Sequence, residues 1–307
     1  MILAAGLTPS WQQICVLDDF QPGEVNRAQQ VLWCASAKVC NVGIAIQHLG
    51  GSVLLLAPIG GVAANAIQKE LDVLEVPHRL IPTKSPTRVC TTILDRKSGV
   101  TTEVVENAYP LLPFEVEAFR SAYFEEAQKA KIIVLSGSLP EGTTKTFYRD
   151  LAMNTRCPLV LDCRGPELLE ALGSKPFVVK PNRDELGMTV GHHLNSENDV
   201  LAAMRMLNER GAQWVVVTHG SHPVLVSSLT GVYRLSTLPV ANMMNPIGSG
   251  DALAATIAWG ATEGHSLIES IRFGIAAAAQ NVSQLLPCRI NPVLLEAQAA
   301  LVNVERL

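Results

Sequence analysis

Charge is scarce in this 307-residue chain: Asp, Glu, Lys and Arg make up 17% of it, and the formal net charge is −4. A nucleic-acid binder needs a basic stripe to neutralise phosphates, and none is present, so nucleic acid is not an expected partner. Aromatic residues are few, at 5%. Long apolar runs are missing too, although the mean hydropathy is +0.23. A spanning helix needs ~20 apolar residues in succession. The run from Val53 to Ile67 is broken by Pro58, Gly60, Gly61 and Asn65, and that from Ala252 to Ala261 ends at Thr262-Glu263. No membrane partner is expected. No cation precedes Arg27, so Met1-Ile2-Leu3-Ala4-Ala5 lacks the charged start of a signal peptide and reads as a buried first strand. The cysteines (15, 34, 40, 90, 157, 163 and 288) are odd in number and form no C-x-x-C pair. They read as small buried hydrophobes of a reducing, cytoplasmic protein, and a zinc site is not expected.

The length suggests two domains, or one large domain with an excursion. Short β-branched runs alternate with segments of helical period, the pattern of βαβ units. Val53–Leu56, Ile132–Leu135, Leu159–Leu161, Phe177–Val179 and Trp214–Val217 are continuously apolar, as strands buried on both faces are. Helices are expected over 38–49, 62–74, 114–129, 144–154, 196–210, 249–262 and 266–285, the last two rich in alanine. Residues 12–33 and 88–106 lack intervening helices. The second contains Asp95-Arg96-Lys97-Ser98-Gly99, a hairpin turn between Thr/Val-rich arms. Together they predict an antiparallel β flap, suited to a lid or a dimer surface.

Three segments carry chemistry. Asn245-Pro246-Ile247-Gly248-Ser249-Gly250-Asp251 leads straight into a helical run. Glycines on a turn that opens a helix can aim backbone N–H groups at a phosphate, with the helix dipole behind them. Asp251 beside that turn could take a proton from a hydroxyl attacking a γ-phosphate. The bland alternative is a helix start capped by Ser249 or Asp251. Lys180-Pro181-Asn182-Arg183-Asp184-Glu185 follows a strand, where ligands of open α/β sheets bind. Asn182 and Glu185 suit magnesium held largely through water, or equally a reciprocal helix cap. Ser136-Gly137-Ser138-Leu139-Pro140 is a polar turn after another strand.

In order and spacing these segments, with Thr8-Pro9, Pro22-Gly23-Glu24-Val25, Lys38-x-x-Asn41 and Thr87-Arg88, resemble the PfkB (ribokinase-like) carbohydrate kinases, and more narrowly the 1-phosphofructokinase and tagatose-6-phosphate kinase branch. The resemblance spans almost the whole chain. It implies one ribokinase-like three-layer α/β domain over 1–307, with a mostly parallel central sheet, helices on both faces and a β lid. It also implies an ATP- and Mg²⁺-dependent kinase of a phosphorylated ketohexose, with a homodimer formed through the lid. By resemblance Asp251 is the catalytic base, and Gly248, Ser249 and Gly250 supply the anion hole. Lys180, Asn182, Glu185, Thr218, Gly220 and Asn281 attend ATP and magnesium, Asn281 lining the adenine pocket. Gln12, Lys38, Asn41, Arg88 and Ser138 attend the sugar; Arg88, and Arg27 after it, would meet a phosphate already on it.

The sequence departs from the family pattern mainly at the sugar end. Gln12 stands where the family usually has Asp, and Ser36-Ala37-Lys38-Val39 where it has Gly-Gly-Lys-Gly, which adds Cβ atoms to the pocket. Asn245-Pro246 offers neither hydroxyl nor N–H from its proline before the glycine turn, and Pro223 follows the His219/His222 pair where a glycine is customary. A kinase of an unphosphorylated sugar or nucleoside, or a weakly active sugar or nucleotide sensor, is the alternative. A nicotinamide dehydrogenase fails because G-x-G-x-x-G is absent.

Overall fold

A computed structural model describes residues 1–307. In chain order the elements are β1 (Ile2–Ala5), β2 (Ser10–Leu17), β3 (Gln30–Ser36), α1 (Lys38–His48), β4 (Val53–Gly60), α2 (Gly61–Val73), β5 (His78–Thr83), β6 (Arg88–Asp95), β7 (Thr101–Val105), α3 (Pro113–Ala127), β8 (Ile132–Ser136) and α4 (Phe147–Met153). There follow β9 (Leu159–Asp162), α5 (Gly165–Ala171), β10 (Val178–Val179), α6 (Arg183–Val190), α7 (Glu197–Glu209), β11 (Trp214–His219), β12 (His222–Ser228), β13 (Gly231–Leu235), α8 (Ser249–Glu263), α9 (Leu267–Val282), α10 (Pro292–Ala300) and β14 (Val304–Arg306).

Ten strands form one sheet, in the order β14-β13-β12-β11-β10-β9-β8-β1-β4-β5. From β11 to β5 every pairing is parallel; β12, β13 and β14 add an antiparallel edge. Alternation along the parallel strands divides the core. Ile2, Ala4, Leu55, Val134, Val160 and Val216 face one apolar cluster with the helices α1, α8 and α9. Leu3, Ala5, Leu56, Ile133, Leu135, Leu161 and Val215 face another with α3, α4 and α7. Both faces of each strand are thus apolar, which is why these strands read as unbroken hydrophobic runs.

Small residues let α8 and α9 approach closely. A Cβ on Gly274 would lie 2.0 Å from Leu253 Cδ1, and one on Gly260 would lie 2.2 Å from Ser270 Oγ. The alanines and glycines of these two helices are therefore a packing requirement. No helix is long and apolar enough to cross a membrane. The seven cysteines are free thiols, five of them buried.

The second sheet has four strands, ordered β3-β2-β6-β7. It differs from the antiparallel flap expected, because β2 and β6 run parallel, from Ser10 opposite Arg88 to Leu17 opposite Asp95. The two strands are donated from distant parts of the chain, so no hairpin fixes their direction. Residues 18–29, expected within the strand segment, are irregular. Two helices went unforeseen: α5 and α10 have seven and nine residues, too few turns for a strong period; α6 is the helix whose capped start at Asn182 was one reading of its segment.

Candidate active site

The parallel strands deliver their carboxyl ends to one edge of the sheet, where a cleft of ≈1210 Å³ opens beneath the small sheet. Gln12, Lys38, Asn41, Arg88 and Ser138 line one end; Thr218 and Gly220 line the other; Lys180, Asn182, Glu185, Gly248, Ser249, Gly250 and Asp251 lie on its wall. Residues scattered over most of the chain thus share one cavity. Asn281 does not. It is fully buried behind the glycine turn, so the expectation that it lines an adenine pocket is corrected. Its Nδ2 donates to Ile247 O and Ser249 Oγ, both at 2.9 Å, and its Oδ1 accepts from Cys288 N at 2.7 Å. The side chain is consumed in bracing the turn. Ile275, Ala278, Ala279 and Val282 of the same helix face the cleft instead.

Gly248 caps α8 with φ +90° and no side-chain capping bond, so neither Ser249 nor Asp251 is the N-cap. Only glycine suits this position: its φ is left-handed, and a Cβ there would lie 2.8 Å from Pro287 Cβ. Ser249 N–H donates to Pro246 O at 3.3 Å, whereas the N–H groups of Gly248 and Gly250 make no backbone bond. The anion hole expected from three consecutive N–H groups is therefore reduced, because the turn itself uses the middle one. The free donors stand at the positive end of a 15-residue helix.

Asp251, one residue on, is buried, and its Oδ2 accepts from Asn41 Nδ2 at 2.7 Å. Burial pushes its carboxyl up to about 6, and the Asp162 charge adds to that; Lys38, the Asn41 bond and Lys180 oppose it. A carboxylate so placed is ionised at neutral pH and close enough to neutrality to accept a proton.

Asp162 is the charged centre of the site that sequence reasoning missed. It ends β9, is inaccessible to solvent, and holds two lysines: Lys38 Nζ lies 2.6 Å from Oδ1 and Lys180 Nζ 3.1 Å from Oδ2. Burial raises its pKa, but Lys180 and Lys38 outweigh burial and hold the carboxyl below its ordinary range. Lys38 also lies 3.0 Å from Glu185 Oε1. Burial works against its charge, yet Asp162, Glu185 and Asp251 keep the ammonium well above its usual range. The signal was available: Leu159-Val160-Leu161-Asp162 places a carboxylate on the end of a buried parallel strand, where it needs a partner.

Asn182 and Glu185 form the reciprocal helix cap. Asn182 Oδ1 accepts from Glu185 N at 2.8 Å, and Glu185 Oε2 accepts from Asn182 N at 3.0 Å. Asn182 is exposed on the cleft and bridges to Thr218 of β11. No group of three or more His, Cys, Asp or Glu side chains is placed to hold a metal ion. Two hard oxygen donors on a cleft with free N–H groups nearby fit magnesium bound mainly by water and phosphate.

At the end of the cleft expected to take sugar, the small sheet supplies Gln12 and Arg88. Gln12 Nε2 donates to Thr92 Oγ1 at 2.6 Å. Arg88 donates to Thr8 O at 3.1 Å and to Glu106 O at 3.3 Å, and its Nε is buried without a partner. Arg27 is exposed in the irregular 18–29 segment and does not line the cleft, so its expected role beside a sugar phosphate falls away. Glu103, Cys163 and Arg164 line the cleft unforeseen. His219 and His222 stack at a centroid distance of 4.4 Å on either side of the β11–β12 turn.

The model of the pfkB family carbohydrate kinases matches residues 10–293. Phosphofructokinase-2 of Escherichia coli in its tetrameric inhibited form is 26% identical, with a TM-score of 0.87 over 97% of this chain and 99% of that one. The same Escherichia coli protein in complex with fructose-6-phosphate gives a TM-score of 0.83 over 98% and 99%. A Thermotoga maritima protein described as a possible 1-phosphofructokinase is 22% identical and shares the fold at a TM-score of 0.90, over 100% of this chain and 99% of that one. With the family model covering nearly all of the chain, it belongs to the pfkB family of carbohydrate kinases.

Proposed function

We propose that this sugar kinase transfers the γ-phosphoryl group of ATP to a hydroxyl of a phosphorylated ketohexose of the fructose-1-phosphate or tagatose-6-phosphate type. The observation that carries the reading is Asp251: buried, paired with Asn41, and seated beside the free N–H groups of Gly248 and Gly250 midway along the cleft. Sugar binds beneath the small sheet and ATP along Thr218, Gly220 and the start of α8. Asp251 takes the proton of the attacking hydroxyl as the O–P bond forms and the bond to the leaving phosphate oxygen breaks. The N–H groups and the helix dipole stabilise charge on the transferring group. Magnesium, held near Asn182 and Glu185, neutralises phosphate charge when bound. Closure of the small sheet as a lid excludes water, so that the sugar hydroxyl, rather than water, receives the phosphoryl group.

The outer face of that sheet exposes Trp33, Val31 and Val104, with Trp11 stacked on Trp33 at 6.1 Å. This apolar face supports a homodimer formed through the lid. Arg88 favours a second substrate reading, because two of its N–H groups already serve backbone carbonyls: an unphosphorylated sugar would need no cation there. A phosphorylation screen with free and phosphorylated fructose and tagatose, run with Mg–ATP, decides. A preference for the phosphorylated forms supports the first reading, and indifference overturns it. Calorimetric binding of Mg–ATP and sugar without product would identify a sensor.

A further inference from the structure

Glu70, in the last turn of α2, lies outside the cleft yet bonds two segments that lead to it, one through a backbone N–H and one through a guanidinium. Its Oε2 accepts from Ala35 N at 2.5 Å, and its Oε1 accepts from Arg289 Nη2 at 2.6 Å. The pair is largely buried, with side-chain exposures of 13% for Arg289 and 18% for Glu70. Ala35 belongs to β3 of the small sheet and precedes Ser36, Ala37 and Lys38, which line the sugar end. Arg289 follows Cys288, whose N–H donates to Asn281 Oδ1 at 2.7 Å and whose Sγ–H donates to Gly248 O at 3.4 Å. One carboxylate therefore joins a strand of the small sheet to the segment that braces the glycine turn.

Leu285 and Leu286 of the same segment also pack on Ile14, Val16, Cys34 and Leu94 of the small sheet, but these apolar contacts are non-directional, whereas an ion pair this enclosed is costly to break on one side only. The carboxylate is also bidentate across two elements, so moving either drags the same group. We infer that Glu70 and Arg289 are positioning residues that couple the small sheet to the phosphate-binding turn, so that occupation of the turn orders the strand leading into the sugar site. The inference rests on the proposed seat of the nucleotide phosphates at Gly248–Asp251.

Hydrogen exchange on the full chain, with and without Mg–ATP, separates the two. In the wild type Mg–ATP should slow exchange at 246–251 and also over 30–37, the latter by a factor in the ~5–150 range usual for coupled sites. In Glu70→Gln, which keeps the side-chain volume, and in Arg289→Met, protection at 246–251 should persist while that over 30–37 is lost; Arg289→Lys should restore part of it. Protection of 30–37 by Mg–ATP that is equal in wild type and both variants overturns the inference and leaves the phosphate seat standing. So does wild-type protection confined to 246–251. Absence of protection at 246–251 in the wild type overturns the phosphate seat, and the coupling with it. Thermal melting of each variant distinguishes a lost coupling from a lost fold: a general rise in exchange with a fallen midpoint in Glu70→Gln assigns the pair to stability alone and also overturns the inference.

Discussion

At the middle of the cleft, Asp251 and the glycine turn are fixed from behind. Asn41 reaches Asp251 from α1, Asn281 holds Ile247 and Ser249 from α9, and Asp162 anchors Lys38 and Lys180 below. At the end of the cleft proposed for sugar, Gln12 and Arg88 instead come from the four-stranded sheet, and both are already bonded: Gln12 to Thr92, Arg88 to the backbone carbonyls of Thr8 and Glu106. The first region is organised around the main sheet's strand ends and helix starts, and it keeps the residue types the chemistry demands. The second carries the departures Gln12 and Ala37 on its lining, whereas Val39, expected to add a Cβ to the pocket, is buried in the core and does not reach the cleft. Phosphoryl transfer needs the same geometry whatever the acceptor, whereas the acceptor pocket needs only to fit its own sugar.

The largest effect expected is at Asp251. Asp251→Asn can still accept from Asn41 but cannot take a proton, so kcat should fall by ~10²–10⁴ with little change in melting temperature. Steady-state kinetics at saturating ATP and sugar checks this, and a loss below tenfold would remove Asp251 from the role of base. Gly248→Ala forces a Cβ against Pro287 at φ +90° and displaces a donor; kcat should fall by ~10²–10³. Gln12→Ala, by contrast, should raise the KM for sugar and leave that for ATP within about twofold. An equal fall in kcat for Gln12→Ala and Asp251→Asn would break the distinction between the two regions.

The pH dependence sharpens the comparison. A base must be ionised to act, so with Asp251 in the proposed role kcat should rise with pH through an inflection near 6, where burial has pushed its carboxyl. Asp162 raises that value by its charge and also holds Lys38 and Lys180. In Asp162→Asn the negative neighbour is gone and the lysines stay, so the inflection should move to lower pH. A shift upward in the pH–kcat profile would contradict the arrangement.

The smallest expected effect is at Ala37, which caps α1 with φ 69° and ψ 163°, a combination nearly confined to glycine. Replacing it by glycine relieves strain of ~1–3 kcal/mol against a chain-entropy cost of ~0.5–1 kcal/mol, so stability should rise by about 1 kcal/mol. A urea midpoint measures it. An unchanged midpoint would mean that the lid relaxes the strain elsewhere.

The fold was legible where burial is written into residue type. Val53–Leu56 and Ile132–Leu135 are apolar at every position because both faces of each strand are covered. The Gly248–Asp251 turn was legible because a glycine pair, a polar residue and a carboxylate at a helix start are all local requirements. Asn281 was misread for the same reason: its residue type is local, but its partners at Ile247, Ser249 and Cys288 are not. The parallel pairing of β2 with β6 was equally hidden, since strand direction is set by the chain between them.

From the sequence alone come a doubly covered parallel sheet, a glycine turn opening a helix and the order of segments that marks a carbohydrate kinase. Only the tertiary structure brings Asp162 to Lys38 across 124 residues, turns Asn281 into a brace and gives Ala37 a glycine's backbone. Periodicity and capping depend on neighbours within a turn or two, so one stretch of sequence specifies them. Ion pairs, pKa shifts and the partner of a buried amide depend on which strand ends meet at one edge of the sheet, and that is decided only when the whole core closes.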